Sequence, residues 1–294
     1  MRIATFFHGG VRQVGRVSAD GASVHPFLLG EVAREIGALA LVNLLAEGSP
    51  LPPEGAPLDL SEVTLDAPIP RPRRNIFCVG KNYREHIREF SQSGFDTTVS
   101  KGSDDVPSHP IIFSKVPESV VAPGAAIRIP AGISEAIDYE AELAVVIGRG
   151  GRGIPAGEAM RHVFGYTIVN DVTARDWQQR HKQWHLGKSF DTFCPMGPWL
   201  VTADELDGTD TTVRCWVNGE LRQDGRTTDL IFPIATLIET ISAGITLYPG
   251  DVIATGTPAG VGIGFNPPRY LRSGDQIRIE IDGLGVLENP VESE

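Results

Sequence analysis

Glycine and proline interrupt this chain so often that neither a long helix nor a helical bundle can be built from it. Together they supply about a fifth of its 294 residues, 33 glycines and 22 prolines. Proline fixes φ and removes a backbone donor, and glycine loses the most freedom on ordering, so regular segments between them stay short. Those segments are rich in Val, Ile and Thr, which suit a pleated, half-buried surface. The pattern predicts an α+β chain that is mostly β, many short strands joined by turns. With 41% hydrophobic and 21% charged residues, the chain can bury a core. A formal net charge of −11 argues against a nucleic-acid backbone or an anionic membrane as the main partner. A small acid remains a possible ligand, because a local cationic pocket can coexist with that charge. Cys78, Cys194 and Cys215 lie far apart with no CxxC spacing, which indicates neither a disulfide framework nor a zinc ribbon. The expectation is a reduced, cytoplasmic protein. No apolar run approaches the roughly 18 residues of a membrane span, and the opening MRIATFFHGGVRQ is not expected to be a signal peptide.

Residues 3–7 and 11–17 are expected to pair as a hairpin, followed by a helix that carries Val32, Ile36, Leu39 and Ala40 on one face. Seven prolines between residues 50 and 72 rule out regular structure throughout that stretch and place a domain boundary there. Leu58, Leu60, Val63 and Leu65 give it an apolar side, so it reads as a docked connector. Residues 1–70 are then a small N-terminal α+β domain, and 71–294 the main one. The polar stretch 91–109 predicts an exposed excursion, and residues from about 84 to 109 are expected to form a mobile lid. Strands are expected at IIFS, AAIRIP, EAELAVVIG and YTIVND, and hairpins turn at Asn218-Gly219 and Asp282-Gly283.

Several groupings of residues are able to carry chemistry. Glu140 and Glu142 open an apolar strand, and its two-residue period puts both on one face. They form either a solvated strand edge or a hard-metal site, with Asp171 at the close of the next strand as third oxygen ligand. Oxygen-only ligation favours Mg²⁺, Mn²⁺ or Ca²⁺ over zinc. His86 and Glu89 stand at i and i+3 of a short helix, where a carboxylate orients an imidazole and raises its basicity. Alone, that spacing also describes a surface ion pair. Arg175, Gln178 and Lys188 follow Asp171 closely and are candidate donors to an anionic substrate, or else exposed polar residues. Gly148 to Gly153 match GxGxxG, but the following helix is expected only near Pro155, too late to receive a pyrophosphate. His181 and His185, with Lys182 where a zinc protease has Glu, are read as packing or surface histidines. The glycine-rich turn around Thr257 lacks the Lys-Ser/Thr of a P-loop but lets a ligand approach main-chain N–H groups.

In order, VGKNYREHIRE, PIIFSKVPESVVAPG, DYEAELAVVIG, GYTIVNDVTARDWQ, GKSFDTFCPMGPW, VNGELRQ and PGDVIATGTPAGVG resemble the fumarylacetoacetate hydrolase family, in its short bacterial form with a small N-terminal domain. The resemblance runs from about residue 74 to 291. It implies a mixed β-roll, a homodimer, and a divalent metal, Mg²⁺ first, on Glu140, Glu142 and Asp171. It further implies a water-activating dyad of His86 and Glu89, Lys188 as electrophilic partner, and substrate contacts from Arg175, Gln178, Tyr83 and Thr257. The departure is the stretch 91–109, longer than in the compact acylpyruvate hydrolases, which bears on the substrate.

The reaction this favours is hydrolytic C–C cleavage of a 1,3-dicarbonyl acid of the acylpyruvate, fumarylpyruvate or fumarylacetoacetate kind. His86 would deprotonate the attacking water while the metal stabilises an enolate leaving group. Decarboxylation of a 2-oxo acid and isomerisation of a hydroxymuconate use the same enolate. A metal-binding protein without turnover is the reading from another class.

Overall fold

The computed structural model describes residues 1–92 and 106–294. Most of the excursion expected over 91–109, and with it much of the lid expected over 84–109, lies outside the described residues; the lid's first part is the helix Arg84–Gln92. Within them the chain is mostly β, as its composition predicts, in three sheets. Ten strands of the twelve-stranded sheet run, from one edge, Leu58–Asp59, Ser23–Pro26, Val11–Val17, Arg2–His8, Cys194–Thr202, Val163–Asn170, Ala141–Ile147, Val252–Ala254, Ile76–Gly80 and Ile111–Lys115. The pairing is mixed: Val252–Ala254 runs parallel to Ile76–Gly80 and antiparallel to Ala141–Ile147. A five-stranded sheet holds both expected C-terminal hairpins, Thr212–Val217 with Glu220–Arg226 and Gln276–Ile281 with Gly285–Ser293. No helix among the described residues is long and apolar enough to cross a membrane.

All seven residues of Ala141–Ile147 are buried, as expected of a strand covered on both faces. Its period of two divides the core. Leu143, Val145 and Ile147 enter one apolar cluster and Ala144 and Val146 another. Ile253 and Val252 on the neighbouring strand divide the same way. Glu142 is the one acid inside the strand, on the face of Ala144 and Val146.

The N-terminal segment joins this sheet through Arg2–His8, which pairs with both Val11–Val17 and Cys194–Thr202. Leu58, Leu60, Val63 and Leu65 of the proline-rich stretch pack against Ala4, Phe6, Val17 and Val24, the docking their apolar character predicts. The single helix expected after the first hairpin is two, Glu31–Glu35 and Leu39–Ala46. Gly37, at φ +64°, ends the first, and Ala38 N–H turns away to Pro68 O (2.8 Å) and Thr5 Oγ1 (3.0 Å). Val32 is left 85% exposed while Leu39 and Ala40 are buried, so the four residues do not share one face.

A Cβ on Gly37 would stand 2.6 Å from Pro70 Cδ and 2.7 Å from Pro68 O, on a backbone that disfavours L side chains. Gly37→Ala is expected to destabilise the protein by more than about 1 kcal/mol in denaturant unfolding, with the far-UV spectrum retained. An unchanged midpoint would show that this junction carries no strain.

Candidate active site

Antiparallel pairing sets the site. Ala141 lies opposite Asn170, so one step further Glu140 comes opposite Asp171, and Asp171 N–H donates to Glu140 O at 2.8 Å. Directly opposed side chains meet. Glu142 follows two residues on, with the result that ligand atoms of Glu140, Glu142 and Asp171 all lie within 4.8 Å of one another, all buried.

Like charges so placed repel, and buried lysines and an arginine offset them. Lys188 Nζ donates to Glu140 Oε2 and Asp171 Oδ2, both at 2.7 Å. Lys115, which closes the strand Ile111–Lys115, donates to Asp171 Oδ1 at 2.7 Å and Val172 O at 3.0 Å, and also to Lys188 O. Arg175 pairs with Glu140 Oε1 (2.7 Å), donates from Nε to Asp138 Oδ2 (2.8 Å) and reaches Gln178 Oε1 (3.2 Å). Burial pushes the Glu140 carboxyl up, but Lys188 and Arg175 outweigh it and hold the group low, at about 2. Lys188 is likewise lowered by burial and raised on balance by Asp171 and Glu140. Glu142 goes the other way: burial first, then Asp171 and Glu140, push it well above the usual carboxylate range. The hydrogen bond it accepts from Gly256 N–H at 2.9 Å offsets little of that.

Four buried acids, Asp138, Glu140, Glu142 and Asp171, thus face three buried cations, Lys115, Arg175 and Lys188. A divalent cation fits this donor set. The clustered atoms are all carboxylate oxygens, the choice of hard ions, and Glu142 has no cation of its own at hydrogen-bond distance among the described residues.

A small pocket opens on these groups. Its lining includes Glu140, Glu142, Arg175, Gln178, Lys188, Thr257 and His86, with aromatic walls from Phe90, Phe113 and Trp184. The helix Arg84–Gln92 brings His86, only 6% exposed, into this lining. His86 Nδ1 stands 3.5 Å from Glu89 Oε2, and both Glu89 oxygens accept from Gly260 N–H at 3.0 Å. The pair is therefore no exposed surface ion pair. Thr257 Oγ1 donates to Ala141 O (3.0 Å) and accepts from Gln223 Nε2 (2.7 Å), pinning the glycine-rich turn to the carboxylate strand.

Tyr83 is not brought to this pocket. Its backbone bridges Leu230, and the residue lines a separate cavity with Arg84, Glu85, Asp224, Asp229 and Pro258. His185 Nδ1 lies 3.0 Å from Ser114 O, and the exposed His181 stands beside Trp177, in keeping with the packing or surface roles expected of them. The helix after the GxGxxG stretch is Ala156–Ala159, with Pro155 preceding it, so no glycine of that motif opens it. Sequence reasoning missed Lys115 and Asp138. Lys115 was legible only as a cation ending an apolar strand, and Asp138 as an acid starting the motif that carries Glu140 and Glu142.

The family described as Fumarylacetoacetate (FAA) hydrolase C-terminal matches residues 75–292. An oxaloacetate tautomerase of Bacillus subtilis (strain 168) is 52% identical over 233 residues, 79% of this chain and 74% of the relative. A mitochondrial oxaloacetate tautomerase of Homo sapiens is 47% identical over 237 residues, 80% of this chain and 71% of its own. Among solved structures, a fumarylacetoacetate hydrolase from Exiguobacterium antarcticum superposes over 100% of both chains with a TM-score of 0.82 at 40% identity. A 5-carboxymethyl-2-hydroxymuconate delta-isomerase from Mycobacterium smegmatis does so over 100% of both with 0.79 at 35%. Family match, whole-chain superposition and sequence identity agree: the chain belongs to the fumarylacetoacetate hydrolase family of enzymes.

Proposed function

We propose that this protein is a divalent-metal-dependent tautomerase of small 2-oxo acids with a second carboxylate, interconverting keto and enol forms of an oxaloacetate-type substrate. The observation that carries this is the pocket itself: a carboxylate cluster with its own buried cations at one side, and a desolvated imidazole at the other. The two oxaloacetate tautomerases, at 52% and 47% identity, support that substrate class. Mg²⁺ is the proposed ion, with Mn²⁺ and Ca²⁺ as alternatives, held by Glu140, Glu142 and Asp171. When bound, it supplies Lewis-acid stabilisation of negative charge on the 2-oxo oxygen.

The chain's own residues do the rest. His86, oriented by Glu89, takes a proton from C3; the C–H electron pair becomes the C2–C3 double bond, and the proton is delivered to the C2 oxygen. Arg175 and Gln178 supply donors to the substrate carboxylates, and Lys188 places a further positive charge beside the developing enolate. Phe90, Phe113 and Trp184 limit water around it. The family resemblance adds the expectation of a homodimer, and the prolines of residues 50–72 that of two domains meeting there.

A second reading, C–C hydrolysis of an acylpyruvate-type acid with His86 activating water, is favoured by the same dyad and by the likeness to a fumarylacetoacetate hydrolase at 40% identity. The deciding experiment gives the protein, with Mg²⁺, the enol of oxaloacetate and, separately, an acylpyruvate. Enol absorbance is followed by stopped flow and products are identified by mass. Accelerated ketonisation without fragments is expected. Cleavage of the acylpyruvate to pyruvate and a carboxylic acid, with no acceleration of oxaloacetate exchange over Mg²⁺ alone, would replace the tautomerase reading by the hydrolase one.

Two substitutions probe the parts. His86→Ala is expected to slow the proton transfer by about 10² to 10⁴-fold, the range for losing a general base, while Mn²⁺ affinity stays unchanged by titration calorimetry. Full activity in that variant would remove His86 from the mechanism. Glu142→Gln is expected to weaken Mn²⁺ binding by more than about 100-fold, beyond the loss seen for outer-shell partners, with the fold retained by circular dichroism. Unaltered Mn²⁺ affinity would take Glu142 out of the ligand set.

A further inference from the structure

We propose that Tyr139 is a positioning residue for the His86–Glu89 pair, acting on it through the backbone of Gly260. The proposal rests on the reading above that this pair moves the substrate proton. Among the described residues, the Glu89 carboxylate is held in place by one backbone group, Gly260 N–H, at 3.0 Å from both oxygens. The carbonyl of the same residue accepts from Tyr139 Oη at 2.8 Å. One glycine is thus gripped at both ends, by the carboxylate that orients the imidazole and by a fully buried tyrosine lying between Asp138 and Glu140.

The seat has little room to adjust. Gly260 has φ +103°, and a Cβ there would lie 1.8 Å from Arg222 O. Asp138 fastens the next turn, accepting from Gly262 N–H at 2.6 Å and Ile263 N–H at 3.0 Å. Glu89 itself rests against the bare α-carbon of Gly264, where a Cβ would stand 1.8 Å from Oε1. Asp138 and Tyr139 therefore fix the loop on which Glu89 sits, and Glu89 stands against the ring of His86. Removing the Tyr139 hydroxyl leaves a buried carbonyl without its donor and frees the Gly260 peptide to rotate its N–H off the carboxylate. A misdirected imidazole loses rate and leaves substrate chelation alone.

The test is a double-mutant cycle on the Mg²⁺-saturated protein, reading kcat and KM for keto–enol exchange together with the ¹⁵N signals of the His86 ring. Tyr139→Phe is expected to lower kcat about 10-fold at unchanged KM. It should also shift the His86 ring signals in the same direction as Glu89→Gln. In the Glu89→Gln background Tyr139→Phe should cost nothing further, because its effect runs through Glu89. Gly264→Ala, which pushes the carboxylate off its seat without touching Tyr139, should reproduce Glu89→Gln. Additive losses in the double variant, or an unshifted His86 in Tyr139→Phe, would overturn the positioning role and leave the tautomerase reading standing. Undiminished exchange in Glu89→Gln would overturn the positioning role together with the orienting role given to Glu89, and would leave the tautomerase reading standing. If Tyr139→Phe does not fold, full kcat and unshifted His86 signals in Gly264→Ala refute the seat on which the proposal depends.

Discussion

The antiparallel register between Ala141–Ile147 and Val163–Asn170 is the constraint on which the rest of the molecule depends. It sets Glu140 opposite Asp171 and Glu142 beside them, at the end of a strand buried on both faces. Opposed carboxylates in such a place are unfavourable alone, and removing their counter-charges would strand buried charge. The chain therefore has to return three cations to one point. Arg175 and Lys188 come from short helices that follow Asp171 directly, and Lys115 comes from the strand at the far edge of the same sheet. Whatever ligand the site takes enters a field that these residues have already set.

The glycine-rich segment after Val252–Ala254 is the second junction. Gly256 N–H donates to Glu142, Gly260 N–H to Glu89, and Gly262 and Ile263 N–H to Asp138, while the Thr257 hydroxyl on the same segment donates to Ala141 O. A segment built to bind phosphate would present those N–H groups to solvent. Here they are consumed in joining the carboxylate strand to the helix Arg84–Gln92. That explains how a helix of nine residues, with its charged face exposed, keeps His86 in the pocket: Phe90 packs with Val261 and Ile263, and Glu89 is bonded to the loop behind them. The buried His86 ring and the carboxylate cluster line one pocket because one loop is bonded to both.

Much of this was legible in the sequence where the determining pattern is local. A short apolar run marks a strand buried on both faces and Asn-Gly marks a hairpin turn, so Ala141–Ile147 and the hairpin turning at Asn218-Gly219 could be placed, as could the shared face of Glu140 and Glu142. The spacing of His86 and Glu89 on one helical turn was equally local. The helix over 31–46 was not, because Gly37 breaks it for the sake of Thr5 and Pro68, contacts that no helical pattern contains.

The sequence by itself determined the fold class, the family and the residue types able to bind a hard cation, since strand alternation, turn chemistry and ordered motifs are properties of neighbours along the chain. Only the tertiary structure decided that Lys115 bonds Asp171, 56 residues away, that Asp138 serves Arg175 and the loop at once, and that Tyr83 faces another cavity. The physical reason is that a buried charge must find a partner wherever the packed sheet puts one. That choice is made by the register and crossing of strands far apart in sequence, which no local pattern records.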